Sequence, residues 1–276
     1  MTIEVWQKFF SKFNKLKIGT LCAQLKVFLP KETDWPDGLP SGHFLPKRRI
    51  MPTLVLLRHG QSAWNLENRF TGWWDVNLTD QGVVEATAAG RSIVGAGIAV
   101  DEAFVSVQTR AIKTLNLALE AMGRLWVPVT KDWHLNERHY GGLTGLNKAE
   151  TIEKHGEEQV KLWRRSFDVP PPPIEKGSEY DLSTDPRYAG VDVPAAESLK
   201  DTIARVLPYY QAVVEPRLRA GKTVIIAAHG NSLRALVKHL SGLSDDEIVH
   251  EEIPTGKPLV YRLDGDFRVE SRAYLG

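Results

Sequence analysis

An α/β fold built on a mainly parallel sheet is what this sequence predicts, and three observations carry the prediction. Short, unbroken apolar runs recur at Thr53-Leu54-Val55-Leu56-Leu57, Ala103-Phe104-Val105-Ser106-Val107 and Thr223-Val224-Ile225-Ile226-Ala227-Ala228. Such runs read as strands covered on both faces. Longer stretches of helical period separate them, the pattern that produces crossover connections. A chain of 276 residues with 42% hydrophobic and 25% charged residues is also large enough to bury a substantial core.

Taken in order, residues 79–95 follow the first strand as a helix entered through Thr79 or Asp80. A helix at about 109–122 follows the second strand, and residues 147–166 and 197–219 read as two more. The third strand leads into a helix from Ser232 to Leu240. Pro258 to Leu263 and Phe267 to Arg272 then pair as closing strands around the Asp264-Gly265 turn. Between them, residues 168–194, with Pro170-Pro171-Pro172-Pro173, are too polar and proline-rich for a core and read as an excursion shaping a rim.

Charge and cysteine content exclude several classes. Lys plus Arg number 35 against 34 Asp plus Glu, so no general positive field exists for nucleic acid. The lone cysteine, Cys22, makes no intrachain disulfide, and no Cys/His spacing suits zinc, which fits a reducing compartment such as the cytoplasm. No apolar run reaches the 18 or more residues of a membrane span. Gly221-Lys222-Thr223 ends like a Walker A loop but lacks its earlier glycine and precedes a strand instead of following one. His134, Glu137 and His139 lack zinc-protease spacing, and Trp73 and Trp74 read as packing residues.

The first 50 residues differ from the rest, carrying nine cations against four anions, a net +5. Trp6, Phe9, Phe10, Phe13 and Leu16 recur at helical spacing, so residues 3–18 are expected to form a basic amphipathic helix, with Pro30 to Pro46 as a linker. The expected organisation is an N-terminal extension over 1–50, serving targeting to a mitochondrion or other organelle or docking, and a catalytic domain over 51–276.

In open sheets of this kind ligands gather at the carboxyl ends of strands. There the sequence places Arg58-His59-Gly60 after the first strand and His229-Gly230-Asn231 after the third. Arg110 lies just beyond the second, and Glu137-Arg138-His139-Tyr140 occupy a polar turn. Imidazole is neutral enough at pH 7 to attack phosphorus and basic enough to hold a transferable phosphoryl group. Forked guanidinium donors from Arg58 and Arg110, with His229, suit the charge that develops on the phosphoryl oxygens. Glu137 is suited to hand a proton to the leaving oxygen and retrieve it on return.

These residues fall in blocks that resemble a known family. Leu56 to Trp73 (Leu-Leu-Arg-His-Gly-Gln-Ser-Ala-Trp-Asn-Leu-Glu-Asn-Arg-Phe-Thr-Gly-Trp), Asn136 to Lys148, Trp163-Arg164-Arg165, Asp185-Pro186-Arg187-Tyr188 and Ala228 to Arg234 are similar to the cofactor-dependent phosphoglycerate mutases of the histidine phosphatase superfamily. The likeness runs from about Thr53 to Gly276 with the blocks in order. It implies a three-layer α/β/α fold and interconversion of 3-phosphoglycerate and 2-phosphoglycerate in glycolysis and gluconeogenesis, primed by 2,3-bisphosphoglycerate without a metal.

It further implies that His59 is the phosphorylated nucleophile, Glu137 the proton carrier, and Arg58, Arg110 and His229 the phosphoryl pocket. Ser62, Asn65, Thr71, Gly72, Gly230 and Asn231 would line the site, while Arg138, Tyr140, Lys148, Arg164 and Arg165 would hold the substrate's other anionic ends. A homodimer or tetramer is implied as well. Gln61 replaces the glutamate usual after His-Gly, removing a charge near the pocket. The family's usual Lys/Ala-rich continuation beyond Leu275-Gly276 is not in this sequence, from which a higher phosphatase-to-mutase ratio is expected. A bisphosphoglycerate mutase or phosphatase, or a silent phospho-ligand scaffold, are the alternatives. Retention of His59, Glu137 and His229 together argues against silence.

Overall fold

In a computed structural model, which describes residues 51–276, six strands form one sheet in the order β3-β2-β4-β1-β5-β6. The strands are β1 (Thr53–Arg58), β2 (Glu102–Val105), β3 (Val129–Lys131), β4 (Thr223–Ala228), β5 (Pro258–Leu263) and β6 (Val269–Tyr274). β1 and β2 both pair parallel with β4, and β3 pairs parallel with β2. The hairpin of β5 and β6 closes the other edge antiparallel. The sheet is therefore mainly parallel, as the apolar runs predict. The expected helix over 3–18, its linker and Cys22 lie outside the described residues.

Strand alternation builds two cores from one sheet. Leu54 and Leu56 of β1, with Val224, Ile226 and Ala228 of β4, face α6 (Leu199–Tyr209) and α8 (Gly230–Ser241). Val55 and Leu57, with Ile225 and Ala227, face α2 (Asp80–Gly95) and α3 (Thr109–Ala121). Helices on both faces make the three layers. Close packing between α2 and α3 depends on Gly90, where a side chain would strike the Ala118 carbonyl.

Several elements depart from the sequence expectation, each for a local reason. The helix expected over 147–166 is two, α4 (Lys148–His155) and α5 (Glu157–Arg165), because Gly156 turns the chain at φ +83°. The one expected over 197–219 becomes α6, with Pro208 in its last turn, a π-turn at Tyr210–Val214 closed by the Glu215 N–H on the Tyr210 carbonyl, and α7 (Glu215–Arg219). β3, α1 (Ala63–Leu66) and α9 (Asp245–His250) are additional. The exposed, three-residue β3 carries too little periodicity to be read from sequence.

The excursion over 168–194 packs against the body through backbone contacts. Gly142 N–H donates to the Pro172 carbonyl at 2.7 Å, and a Cβ on Gly141 would strike that same oxygen. Its far end is tied by Arg187, which pairs with Asp185 at 2.6 Å and with Asp75 at 2.8 Å. Trp73 is fully buried among Leu182 and Tyr188, the packing role expected of it.

Candidate active site

The parallel register sets Arg58 beside Ala228, and the His59 N–H donates to the Ala228 carbonyl at 3.0 Å. His59 and His229 are thereby delivered together, with ring centroids 5.0 Å apart. His59 Nδ1 lies 2.7 Å from its neighbour's Gly60 carbonyl. A carbonyl only accepts, so Nδ1 carries the hydrogen and Nε2 keeps its lone pair. Burial, reinforced by Arg110 and Arg58, holds the His59 pKa well below the ordinary histidine value, so the ring is neutral at pH 7.

His229 is fully buried, and its Nε2 meets the Ser106 hydroxyl at 2.7 Å. That hydroxyl accepts the Gln108 N–H at 3.3 Å and has His229 as its acceptor among the described contacts. Nδ1 is then the donor nitrogen, and it is buried without a partner. Burial is also the main reason that the His229 pKa lies well below its ordinary value.

Arg110 reaches the cavity from α3, its Nη atoms spent on the Gly72 carbonyl at 2.9 Å and the Trp74 carbonyl at 3.0 Å. Burial lowers its pKa to about 10, still cationic at neutral pH, with Glu137 and Asp75 opposing the shift. Arg58 donates to the Ile253 carbonyl at 2.7 Å. The Nε atoms of Arg58, Arg110 and Arg234 are all buried without a hydrogen-bond partner. Unsatisfied buried donors around one cavity are what an anionic ligand would satisfy.

That cavity, about 270 Å³, is lined by Arg58, His59, Asn65, Thr71, Gly72, Arg110, Glu137, Tyr140, Lys148, Arg164, Arg165, Gly230 and Asn231 among the expected residues. Arg69 and Arg234 add two cations that the sequence reading left without a role. Seven cationic side chains against Glu137, Glu251 and Glu252 leave the lining strongly positive in a chain of net charge +1. At the mouth Arg165 pairs with Glu252 at 2.5 Å. Burial lowers the Lys148 pKa, partly opposed by Tyr140.

Ser62 and Arg138 stand behind this wall. Ser62 caps α1, accepting the Asn65 N–H at 3.3 Å while its own N–H donates to Asn65 Oδ1 at 3.1 Å. Arg138 is fully buried beneath Tyr140, 4.6 Å from the ring centre, and donates to the Arg164 carbonyl at 3.1 Å. Gln61 turns its amide oxygen to the Thr79 hydroxyl at 2.9 Å and is not a lining residue.

Glu137 is 8% exposed, and its Oε1 accepts N–H groups of Arg138 at 2.8 Å and Asn231 at 3.0 Å, together with Asn231 Nδ2–H at 3.0 Å. Its carboxylate thus sits on the N-terminal turn of α8, where the helix dipole favours negative charge. A Cβ on Gly230 would stand 3.6 Å from Oε2 and 3.7 Å from the Arg58 guanidinium carbon, so the absent side chain keeps those groups exposed to the cavity.

Sequence reasoning missed what holds Glu137 there. Arg205 and Glu197 form a bidentate pair at 2.7 and 2.8 Å. Arg205 also donates to the carbonyls of His134 (2.7 Å), Asn136 (3.3 Å) and Glu137 (3.2 Å), while Glu197 accepts the His139 N–H at 2.8 Å. Gln108 takes the Glu137 N–H at 2.9 Å and donates to the Gly72 carbonyl at 2.9 Å. None of these carries a local spacing signal.

The family model for the histidine phosphatase superfamily, branch 1, matches residues 54–271. The chain is 70% identical to the 2,3-bisphosphoglycerate-dependent phosphoglycerate mutase of Sphingopyxis alaskensis, over 82% of this chain and 99% of that protein. The mutase of the same name from Zymomonas mobilis is also 70% identical with the same coverage. Among solved structures, a mycobacterial glucosyl-3-phosphoglycerate phosphatase superposes with TM-score 0.62 at 23% identity, covering 81% of this chain and 97% of the other. The alpha-ribazole phosphatase of Shigella flexneri gives 0.58 at 18%, covering 78% and 92%. These two establish the shared fold. The chain belongs to the histidine phosphatase superfamily.

Proposed function

We propose that this member of the superfamily is a phosphoglycerate mutase interconverting 3-phosphoglycerate and 2-phosphoglycerate through phospho-His59. The observation that carries the reading is the paired placement of a neutral His59, its Nε2 free, and a cationic cavity closed on one side by Glu137. The 70% identity to mutases over 99% of their length favours isomerisation over simple hydrolysis.

Each half-reaction balances on groups already in place. Nε2 of His59 attacks phosphorus; the N–P bond forms as the P–O bond to the sugar acid breaks, and Glu137 supplies a proton to the departing oxygen. In the return step the other hydroxyl gives its proton to Glu137, the new O–P bond forms and N–P breaks. Arg58, Arg110 and His229 Nδ1–H hold the phosphoryl oxygens throughout. Lys148, Arg164 and Arg165 face the carboxylate, with Arg165 exchanging Glu252 for substrate. Tyr140 closes the wall, supported from behind by Arg138. Asn65, Thr71, Gly72, Gly230 and Asn231 shape the lining.

The buried, unpartnered Nε atoms of Arg58, Arg110 and Arg234 fit a ligand with two phosphates and a carboxylate. 2,3-Bisphosphoglycerate supplies the phosphoryl group that charges His59. The arginines provide the neutralising charge, and the neutral His229 ring adds a hydrogen bond.

Incubation with 2,3-bisphosphoglycerate should place one acid-labile, base-stable phosphate on His59, and a coupled assay should show isomerisation that needs the bisphosphate. His59→Ala should remove turnover by at least about 10⁴-fold, and Glu137→Gln by about 10²–10⁴-fold, with unchanged circular dichroism. Phosphate on another residue, or isomerisation independent of the bisphosphate, would reject the mechanism.

A further inference from the structure

Arg234, on the first turns of α8, lines the cavity yet spends both Nη atoms inward. Nη1 donates to Asn231 Oδ1 at 3.0 Å, and Nη2 donates to the Ile248 carbonyl. A guanidinium has no acceptor, so the atom of Asn231 facing it must be the oxygen. The amide nitrogen then faces Glu137 Oε1 at 3.0 Å and the Tyr140 hydroxyl at 3.4 Å. Rotation of the amide by half a turn would set Oδ1 against the carboxylate and Nδ2 against the guanidinium, two repulsive contacts at once.

The two ends of that lock behave differently during turnover. While Glu137 is ionised, its own charge orients the amide. When Glu137 holds a proton, that restraint is gone, and a flipped Asn231 would offer Oδ1 as an acceptor to a proton on Oε1. Arg234 stays cationic through both states, so it alone keeps Asn231 a donor. Oε1 is already met by two backbone N–H groups, from Arg138 and Asn231, and Oε2 stands beside Gly230 and Arg58 at the cavity. The other charged or titratable groups near Glu137 are Arg110 from α3, Arg138 and Tyr140 from its own loop, Arg205 from α6, which donates to the Glu137 carbonyl at 3.2 Å, and His59 across the cavity.

We infer that Arg234 is a positioning residue that fixes the Asn231 amide as a donor to Glu137 Oε1 and so confines the mobile proton to Oε2. The inference rests on the reading of Glu137 as proton carrier. It gives a buried arginine with no free Nη a task in proton transfer rather than in substrate binding.

The test is the pH profile of kcat for 3-phosphoglycerate in the presence of 2,3-bisphosphoglycerate, for Arg234→Gln, Arg234→Lys and Asn231→Asp. Gln at 234 lets the amide flip, which lowers kcat about 10-fold, leaves KM within about twofold and moves the Glu137 limb to higher pH. Lys, a donor without acceptor capacity, restores most of kcat. Asn231→Asp keeps its pairing with Arg234, removes the donor and adds charge beside Glu137, so it moves the limb further in the same direction even if the Gln variant fails to fold. A limb unmoved in Arg234→Gln and Asn231→Asp, or a raised KM with kcat intact in Arg234→Gln, overturns the inference. Glu137→Gln run alongside separates the two levels: if it stays active the proton-carrier reading itself falls, and if it is dead while the limb is unmoved only the role of Arg234 falls.

Discussion

His59 and His229 each stand one residue beyond a buried parallel strand, whereas Glu137 stands on an irregular loop between Asp132 and Tyr140, and different forces hold the two. The histidines inherit their positions from the β1–β4 ladder, whose parallel register seats Arg58 opposite Ala228 and so brings the two strand ends to one edge. Glu137 inherits its position from a buried ion pair, side chains 7% and 4% exposed, between Arg205 on α6 and Glu197 just ahead of it. A cooperative ladder of many weak bonds tolerates the loss of one contact, while a single charged clamp does not. In the proposed reaction, protons and phosphoryl groups meet where these two kinds of support adjoin.

Breaking the clamp should therefore have the largest effect. Arg205→Ala or Glu197→Ala leaves an unpaired buried charge and should lower stability by about 3–5 kcal/mol in denaturant titration. In the fraction that folds, turnover should lose the acid–base contribution of Glu137, about 10²–10⁴-fold, with His59 still phosphorylated by the bisphosphate. Equal loss of His59 phosphorylation would erase the distinction between the two regions.

Acid should act on the same loop next. Burial lowers the His139 pKa to about 4, with Arg205 adding to the shift and Glu197 opposing it. Its Nδ1 accepts the Gly141 N–H at 3.0 Å, which requires the neutral ring. The unfolded chain takes up this proton near pH 6.5 and the folded chain only near 4, so the stability associated with it is intact above 6.5 and declines as pH falls between these values. Over that interval the loss reaches about 3 kcal/mol, and replacing His139 with Gln should flatten the stability slope by up to about 1.4 kcal/mol per pH unit.

The strand side is tested through Gly82, at the start of α2, where a Cβ would strike the Gln61 carbonyl. Gly82→Ala should cost about 1–3 kcal/mol by pushing the α2 terminus away from the loop after His59, and it should slow His59 phosphorylation more than it alters the Glu137 pH limb. Smallest of all, Arg187→Ala removes partly exposed pairs with Asp75 and Asp185 and should change stability by no more than about 1 kcal/mol. A larger loss would mean that the excursion supports the Asp75 side chain, which accepts from the Thr109 N–H at 2.7 Å at the start of the Arg110 helix.

The comparison also marks what was legible in advance. Strands β1, β2 and β4 read directly from continuous apolar runs, and the strand-end rule led from them to His59, His229 and Arg110. The division at Gly156 had a visible signal, a glycine inside a helical stretch, that periodicity outweighed. Ser106, Gln108, Glu197 and Arg205 had none, because their main partners lie elsewhere in sequence and their residue types are ordinary on any surface, while Arg234 closed a recognised block that did not reveal its role. Gln61, singled out for its missing charge, is turned toward Thr79, a contact its motif does not reveal.

Sequence alone determined the layered sheet and the delivery of two histidines to one edge, since hydrophobic periodicity and strand-end position are local properties written in neighbouring residues. Only the tertiary structure decided which oxygen of Glu137 faces the cavity and which arginines are spent on backbone carbonyls. Those outcomes depend on hydrogen-bond partners brought together across tens of residues, and a donor's direction is set by what folding places opposite it.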